Sequence, residues 1–203
     1  MDEKQVRDAY ASIADLYIDL YGTSEQSLPA DLAFIRRHLS IRPGTVLDVG
    51  CGPGHLTAYL RSLNVDAVGI DLVPEFIAHA KATHPTGTYH VGTMQSLDAA
   101  DNSIAGILAS YSLIHIPPQD LDEVLTELRR VLKPAGKLVA GLFDADDRTE
   151  PFDHKVARAY RWPIGEFSQR LAEAGFTEVE HERRPGSATH RPVAMIAAVL
   201  NNP

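Results

Sequence analysis

The chain has 203 residues, 44% hydrophobic and 23% charged, with a formal net charge of −8. This length suits one domain with a sizeable core, and the acidic balance argues against a nucleic-acid partner, whose phosphates are gripped by Lys and Arg. No stretch approaches the roughly 20 apolar residues of a membrane span.

The lone cysteine, Cys51, leaves no internal disulfide and no thiolate metal cluster, and no metal is expected. The opening Met1-Asp2-Glu3-Lys4-Gln5 lacks a signal peptide's apolar run, so the expected compartment is the cytoplasm.

Val6, Ala9, Tyr10, Ile13, Leu16, Tyr17 and Leu20 follow helical spacing and predict one helix from Val6 to Leu20. Tyr10 and Tyr17 lie two turns apart and share a face, suited either to core packing or to a lid whose rings attract a cation. Residues 22–28 form a polar loop. Pro29 to Leu39 reads as a second helix, ended by Arg42-Pro43-Gly44.

Thr45 to Gly50 is an apolar run with Asp48 as its one acid, as in a strand buried on both faces. It breaks into Gly50-Cys51-Gly52-Pro53-Gly54, and Leu56, Tyr59, Leu60 and Leu63 then mark a helical face. Strand, glycine turn and helix N-terminus together suit a nucleotide-like ligand. Val65 to Asp71 is a second strand ending in a carboxylate. Asp71 stands 21 residues beyond Gly50, a distance at which an acid reaches ribose hydroxyls; capping the helix that opens at Pro74 is the plainer role.

The third glycine, Gly54, comes one residue earlier than in a dinucleotide fingerprint. This D-x-G-x-G-x-G form, Asp48 to Gly54, resembles the first motif of class I S-adenosylmethionine (SAM) dependent methyltransferases. The resemblance implies SAM as cofactor and S-adenosylhomocysteine (SAH) as product. It implies that Gly50, Cys51, Gly52 and Gly54 surround the cofactor, that Asp71 and Leu72 meet its ribose side, and that Asp48 fixes the turn rather than doing chemistry. The A-Y-x-x-x-A-x-x-Y run from Ala9 to Tyr17 also resembles the family's N-terminal helix, whose tyrosines close over SAM.

Downstream, Val73 to Ala82 is a helix and Thr88 to Val91 a third strand. Gly92-Thr93-Met94-Gln95-Ser96-Leu97 resembles the family's G-D-x-x-x-L, with Thr93 where the acid usually stands; Met94 or Gln95 takes over the adenine contact. Ile104 to Ala109 is the fourth strand. At its end Ser110 and Tyr111 are implied cofactor neighbours, and His115 is the histidine best placed to face an acceptor, with a structural role in the turn before Pro117-Pro118 as the plainer alternative. Gln119 to Leu132 is an amphipathic helix, Lys133 to Lys137 a tight turn, and Leu138 to Phe143 the fifth strand.

Residues 144–163 read as an acidic loop and insertion, which in the family lines the acceptor pocket. That makes His154 a second candidate base and Tyr160 and Trp162 candidate substrate residues. Pro163 to Ala174 is a helix closed by Gly175. Thr177 to Arg183 and Val193 to Leu200 form a closing antiparallel hairpin, with His190 and Arg191 near its turn.

The element order predicts an α/β, doubly wound, Rossmann-like mixed sheet of seven strands, with helices on both faces. One domain is expected: an N-terminal helical lid to residue 43, a cofactor core over 44–143, and an acceptor-side remainder. The implied reaction is methyl transfer to a small-molecule acceptor. The rivals are a non-catalytic SAM or SAH binder and a nicotinamide-dependent oxidoreductase. Oligomeric state is not legible.

Overall fold

The computed structural model describes residues 3–40, 43–187 and 190–201. Arg42, expected at a helix end, and the middle of the 185–192 connection lie outside them.

The chain begins with α1 (Glu3–Ala11), α2 (Ala14–Tyr21) and α3 (Pro29–Leu39), then β1 (Thr45–Val49), α4 (His55–Ser62), β2 (Asp66–Asp71), α5 (Pro74–Thr83), β3 (Thr88–Val91) and β4 (Ile104–Ser110). It continues through α6 (Leu121–Val131), β5 (Leu132–Phe143), β6 (Glu150–Phe152), β7 (Ala159–Arg161), α7 (Ile164–Glu173), β8 (Phe176–Arg184) and β9 (Val193–Leu200).

Seven strands make one sheet in the order β3-β2-β1-β4-β5-β9-β8. The first five run parallel, and β9 and β8 are antiparallel additions. This is the mixed, doubly wound sheet expected.

Alternation along the strands divides the core. Val46, Leu108, Val139, Met195 and Ala197 turn to one face and pack with Phe34, Ile35 and Leu39 of α3 and Leu56 and Leu60 of α4. Leu47, Val49, Ile107, Leu138, Leu142 and Ile196 turn to the other, under the apolar stripe of α6 and Phe167 and Leu171 of α7. Helix α3 is therefore a core helix, while α1 and α2 pack instead beside Val73 and Phe76.

Three differences from the sequence-based expectation have physical causes. The N-terminal helix breaks: the Ser12 hydroxyl donates to the Ala9 carbonyl at 2.7 Å, and Ile13 leaves helical geometry at φ −126° and ψ 19°. On a straight helix Tyr10 and Tyr17 would stand about 10 Å apart along the axis; the break brings their ring centroids to 5.3 Å, edge to face. Second, the turn at Lys133–Lys137 is looped out of a longer strand. Leu132 already pairs with Ile104, and pairing resumes at Lys137 with Gly106, while Ala135 takes φ +59°. Third, the insertion contains a two-stranded sheet, β6 against β7.

Between β3 and β4 lies no helix. Chain direction across the sheet reverses between β1 and β4, and ligands of open α/β sheets bind at the carboxyl ends of strands at such a point.

Candidate functional site

A cavity of about 300 Å³ opens at that point. Four of the five parallel strand ends contribute to its wall: Gly50 and Gly52 after β1, Asp71 and Leu72 after β2, Gly92, Met94 and Gln95 after β3, and Ser110, Tyr111 and Ser112 after β4. The roof comes from Glu3, Val6, Arg7 and Tyr10 of α1 and Tyr17 of α2, with Phe76 of α5 and His115 at the sides.

The glycine turn is held from both sides. Ser112 donates its hydroxyl to the Val49 carbonyl at 2.7 Å, and a Cβ at Gly50 would stand 2.4 Å from Ser112 Cβ. Gly54 has φ +86°, and a Cβ there would meet Ala80 and Tyr89 at 2.7 and 2.8 Å. Gly52 differs: at φ +53° its missing Cβ would find only a Tyr17 ring carbon, at 3.7 Å. The space before Gly52 therefore belongs to the cavity, and a ligand can approach its main chain closely.

Asp71 couples the turn to the second strand. Its Oδ2 accepts from the Gly52 N–H at 2.8 Å and its Oδ1 from the Val73 N–H at 2.9 Å. Burial pushes its carboxyl up to about 6, against these backbone donors, which favour the charged form. Each oxygen keeps a further lone pair for a ligand hydroxyl. Asp48 points away from the cavity, fully buried, and accepts from the Thr57 hydroxyl at 2.6 Å; burial raises its carboxyl to about 7.

His115 sits in a one-turn 3-10 helix (Leu113–His115) after β4. Its Nδ1 is 2.9 Å from the Arg158 carbonyl and its Nε2 2.8 Å from the Tyr10 hydroxyl. A carbonyl only accepts, so Nδ1 carries the hydrogen and Nε2 accepts from Tyr10. Burial lowers its pKa below the usual histidine value, consistent with a neutral ring. Burial raises the phenols of Tyr10 and Tyr17, with the neighbouring Tyr17 and then Asp71 adding to it at Tyr10 and Asp71 adding to it at Tyr17.

Tyr111 holds φ +54°, unusual for a bulky side chain. Its ring lines the cavity, while its hydroxyl donates to Asp31 Oδ2 at 3.1 Å. Asp31, buried in α3, also pairs with Arg184 of β8.

Of the residues singled out from sequence, Tyr10, Tyr17, Gly50, Gly52, Asp71, Leu72, Met94, Gln95, Ser110, Tyr111 and His115 come together on this wall. Others do not. Asp48, Cys51 and Gly54 lie behind it; Cys51 packs with Ile77, Ala80 and Tyr89. The Thr93 hydroxyl bonds the Glu3 carboxylate and accepts from the Gln95 N–H at 3.0 Å, which secures the α1 end of the roof.

His154 stands beside His115, ring centroids 5.2 Å apart, outside the wall, and burial lowers it to about 4. Tyr160 and Trp162 belong to the core. Trp162 is 1% exposed, shares backbone hydrogen bonds with Phe143 and Ala145, and packs on Phe167. His190 is exposed, and Arg191 caps the Phe152 ring and donates to the Asp153 carbonyl.

Sequence reasoning passed over Glu3, Arg7, Phe76, Ser112 and Asp120. For the first two a signal existed: Glu3, Val6, Arg7 and Tyr10 fall on one face of α1.

Residues 46–136 match the family described as a methyltransferase domain. Over that stretch, a little under half of the chain, the protein is similar to methyltransferase domains. Malonyl-[acyl-carrier protein] O-methyltransferase of Pectobacterium atrosepticum is 32% identical over 127 residues, covering 62% of this chain and 47% of that protein. The chain spans about half the length of the first curated relatives it matches.

The Burkholderia thailandensis 1,6-didemethyltoxoflavin-N1-methyltransferase, solved with 1,6-didemethyltoxoflavin and SAH, superposes with a TM-score of 0.80 at 22% identity, over 98% of this chain and 88% of that one. The 4+2 cyclase SpnF superposes at 0.83 with 17% identity, over 100% and 98%. At these identities the likeness is one of fold, and a protein named as a cyclase shares it with a methyltransferase, so reaction has to be argued from the site.

Proposed function

We propose that this chain binds SAM in the cavity above β1, β2, β3 and β4 and transfers its methyl group to a small-molecule acceptor. One observation carries the reading: the Gly52 main chain is open to the cavity beside a buried carboxylate, Asp71, that is tied to it by a 2.8 Å hydrogen bond. That is a cradle for a ribose and the chain attached to it.

Asp71 accepts from the ribose hydroxyls. Gly50 and Gly52 admit the amino-acid part, Met94 and Gln95 lie toward the base, and Tyr10, Tyr17 and Phe76 present ring faces and edges to the charged sulfur. The cofactor, when bound, supplies an activated methyl group. The chain's own work is orientation and exclusion of water by the α1–α2 roof. An acceptor that must lose a proton would reach the neutral His115 by taking the place of the Tyr10 hydroxyl on Nε2.

Calorimetric titration with SAM, SAH and NAD tests the cofactor. Micromolar binding of SAM and SAH with none of NAD is expected; NAD binding alone would overturn the reading. SAH release from SAM across phenols, thiols and amines then tests transfer, and bound SAM that never turns over would favour a non-catalytic binder.

A further inference from the structure

We propose that Tyr10 is a positioning residue for His115, so that a cofactor seated under α1 and a proton on His115 oppose one another. The inference rests on the cofactor reading above and adds a regulation of that site.

Helix α1 buries none of its residues fully. Its contacts with the body include the Glu3 bond to Thr93, the Tyr10 ring against Tyr17 and Phe76, the packing of Ala11 beside Val73 and Phe76, and the Tyr10 hydroxyl on His115. A helix with no fully buried residue sits at the low-stability end of a fold, so the loss of one contact loosens it. The Tyr10–His115 bond is such a contact, joining residues 105 apart in sequence.

That bond requires a lone pair on Nε2. The Arg158 carbonyl keeps the hydrogen on Nδ1, so a second proton can enter only at Nε2. Tyr10 would then have to turn from donor to acceptor, and its hydrogen would lose its partner inside the site. The other groups facing His115 are the edge of His154, from the β6–β7 connection, and, around the cavity, Glu3, Arg7, Asp71 and Asp120. A charged His115 therefore loosens α1, and anything that fills the cavity against α1 favours neutral His115. By linkage the two effects are equal. The seated roof thus holds His115 neutral, with its Nε2 lone pair on the Tyr10 hydroxyl.

The experiment follows His115 by 15N-detected NMR of the imidazoles, assigned with His115→Gln, in apo and SAH-saturated protein between pH 5 and 8. Wild type is expected to show the Nδ1–H tautomer and a His115 titration moved down by at least half a unit by SAH, equivalent to about threefold weaker SAH binding when His115 is protonated. In Tyr10→Phe, SAH should leave the His115 titration in place.

An SAH-independent His115 titration in wild type overturns the proposal, as does the same SAH-induced shift in Tyr10→Phe. Should Tyr10→Phe bind SAH too weakly to saturate, the wild-type shift decides alone. Absence of SAH binding by wild type at pH 8 overturns the cofactor reading itself, an outcome distinct from binding without a His115 response. Asp71 also titrates in this range, but it does not appear in the imidazole signal.

Discussion

Asp71 accepts the backbone N–H of Gly52 at 2.8 Å, so the end of β2 and the glycine turn after β1 form one rigid corner. Removing the carboxylate has two effects, loss of ribose acceptors and release of the turn. Asp71→Ala is expected to weaken SAH binding by about 1–3 kcal/mol, roughly 5- to 150-fold, the scale of an unmade charged hydrogen bond. Isothermal calorimetry at pH 7.5 checks it, and unchanged affinity would sink the assignment.

The same group sets a pH dependence. Its carboxyl titrates near 6, well above an ordinary aspartate. Below that pH it is neutral and a poorer acceptor, so the Asp71 contribution to SAH affinity should fall as pH drops from 7 to 5. Affinity measured in wild type and Asp71→Ala across this range isolates it, because the variant lacks the component.

Gly52 and Gly54 should separate binding from folding. Gly54→Ala drives a Cβ into Ala80 and Tyr89 at under 3 Å, and its cost falls on stability, seen as a large drop in melting temperature. Gly52→Ala meets only Tyr17, at 3.7 Å, so beyond the strain of its positive φ it costs little in packing while occupying the ligand's approach. Its expected signature is SAH affinity reduced more than tenfold in a protein that still unfolds cooperatively.

Asp48→Asn is expected to stabilise the protein above neutrality. The folded-state pKa is raised to about 7 from the ordinary carboxylate value, chiefly by burial, so folding favours the neutral form. Stability from this group is present below about pH 4 and is lost as pH rises to about 7. Asparagine keeps an oxygen for the Thr57 hydroxyl and has no charge to bury. Denaturation at pH 8 should show a gain on the order of 2 kcal/mol that vanishes at pH 4. A loss at pH 8 would mean that the carboxylate is needed charged.

Tyr111→Phe isolates a contact that faces away from the cavity. It leaves Asp31 Oδ2 buried without its hydroxyl donor while Arg184 still holds Oδ1. A loss of about 1–2 kcal/mol is expected, a few degrees in a thermal scan, with SAH affinity within twofold of wild type.

What the sequence made legible follows from where the information is local. The bounds of β3 and β9 are those read from β-branched and apolar runs, and the glycine spacing located the strand ends that meet at the cavity. The break at Ser12 was not legible, because Val6 to Leu20 keeps helical period across it while Ile13 leaves helical geometry. Trp162 shows the limit of residue type: an aromatic in an insertion suits a pocket or a core equally, and only its backbone pairing with Phe143 turns it inward. The engagement of His115 by Tyr10 depends on how α1 folds back over the sheet, which no local pattern encodes.

The position of β9 bears on how the protein comes to exist. β8 has no place in the sheet except beside β9, and β9 lies between it and β5. A ribosome synthesises β8 first, and its residues emerge with nothing to pair with until 193–200 have followed. Five parallel strands can assemble while the chain is growing, but the outer edge of β5 stays open until the last strand slides in. During synthesis that open edge is the place where a chaperone, or another copy of the nascent chain, finds unpaired backbone.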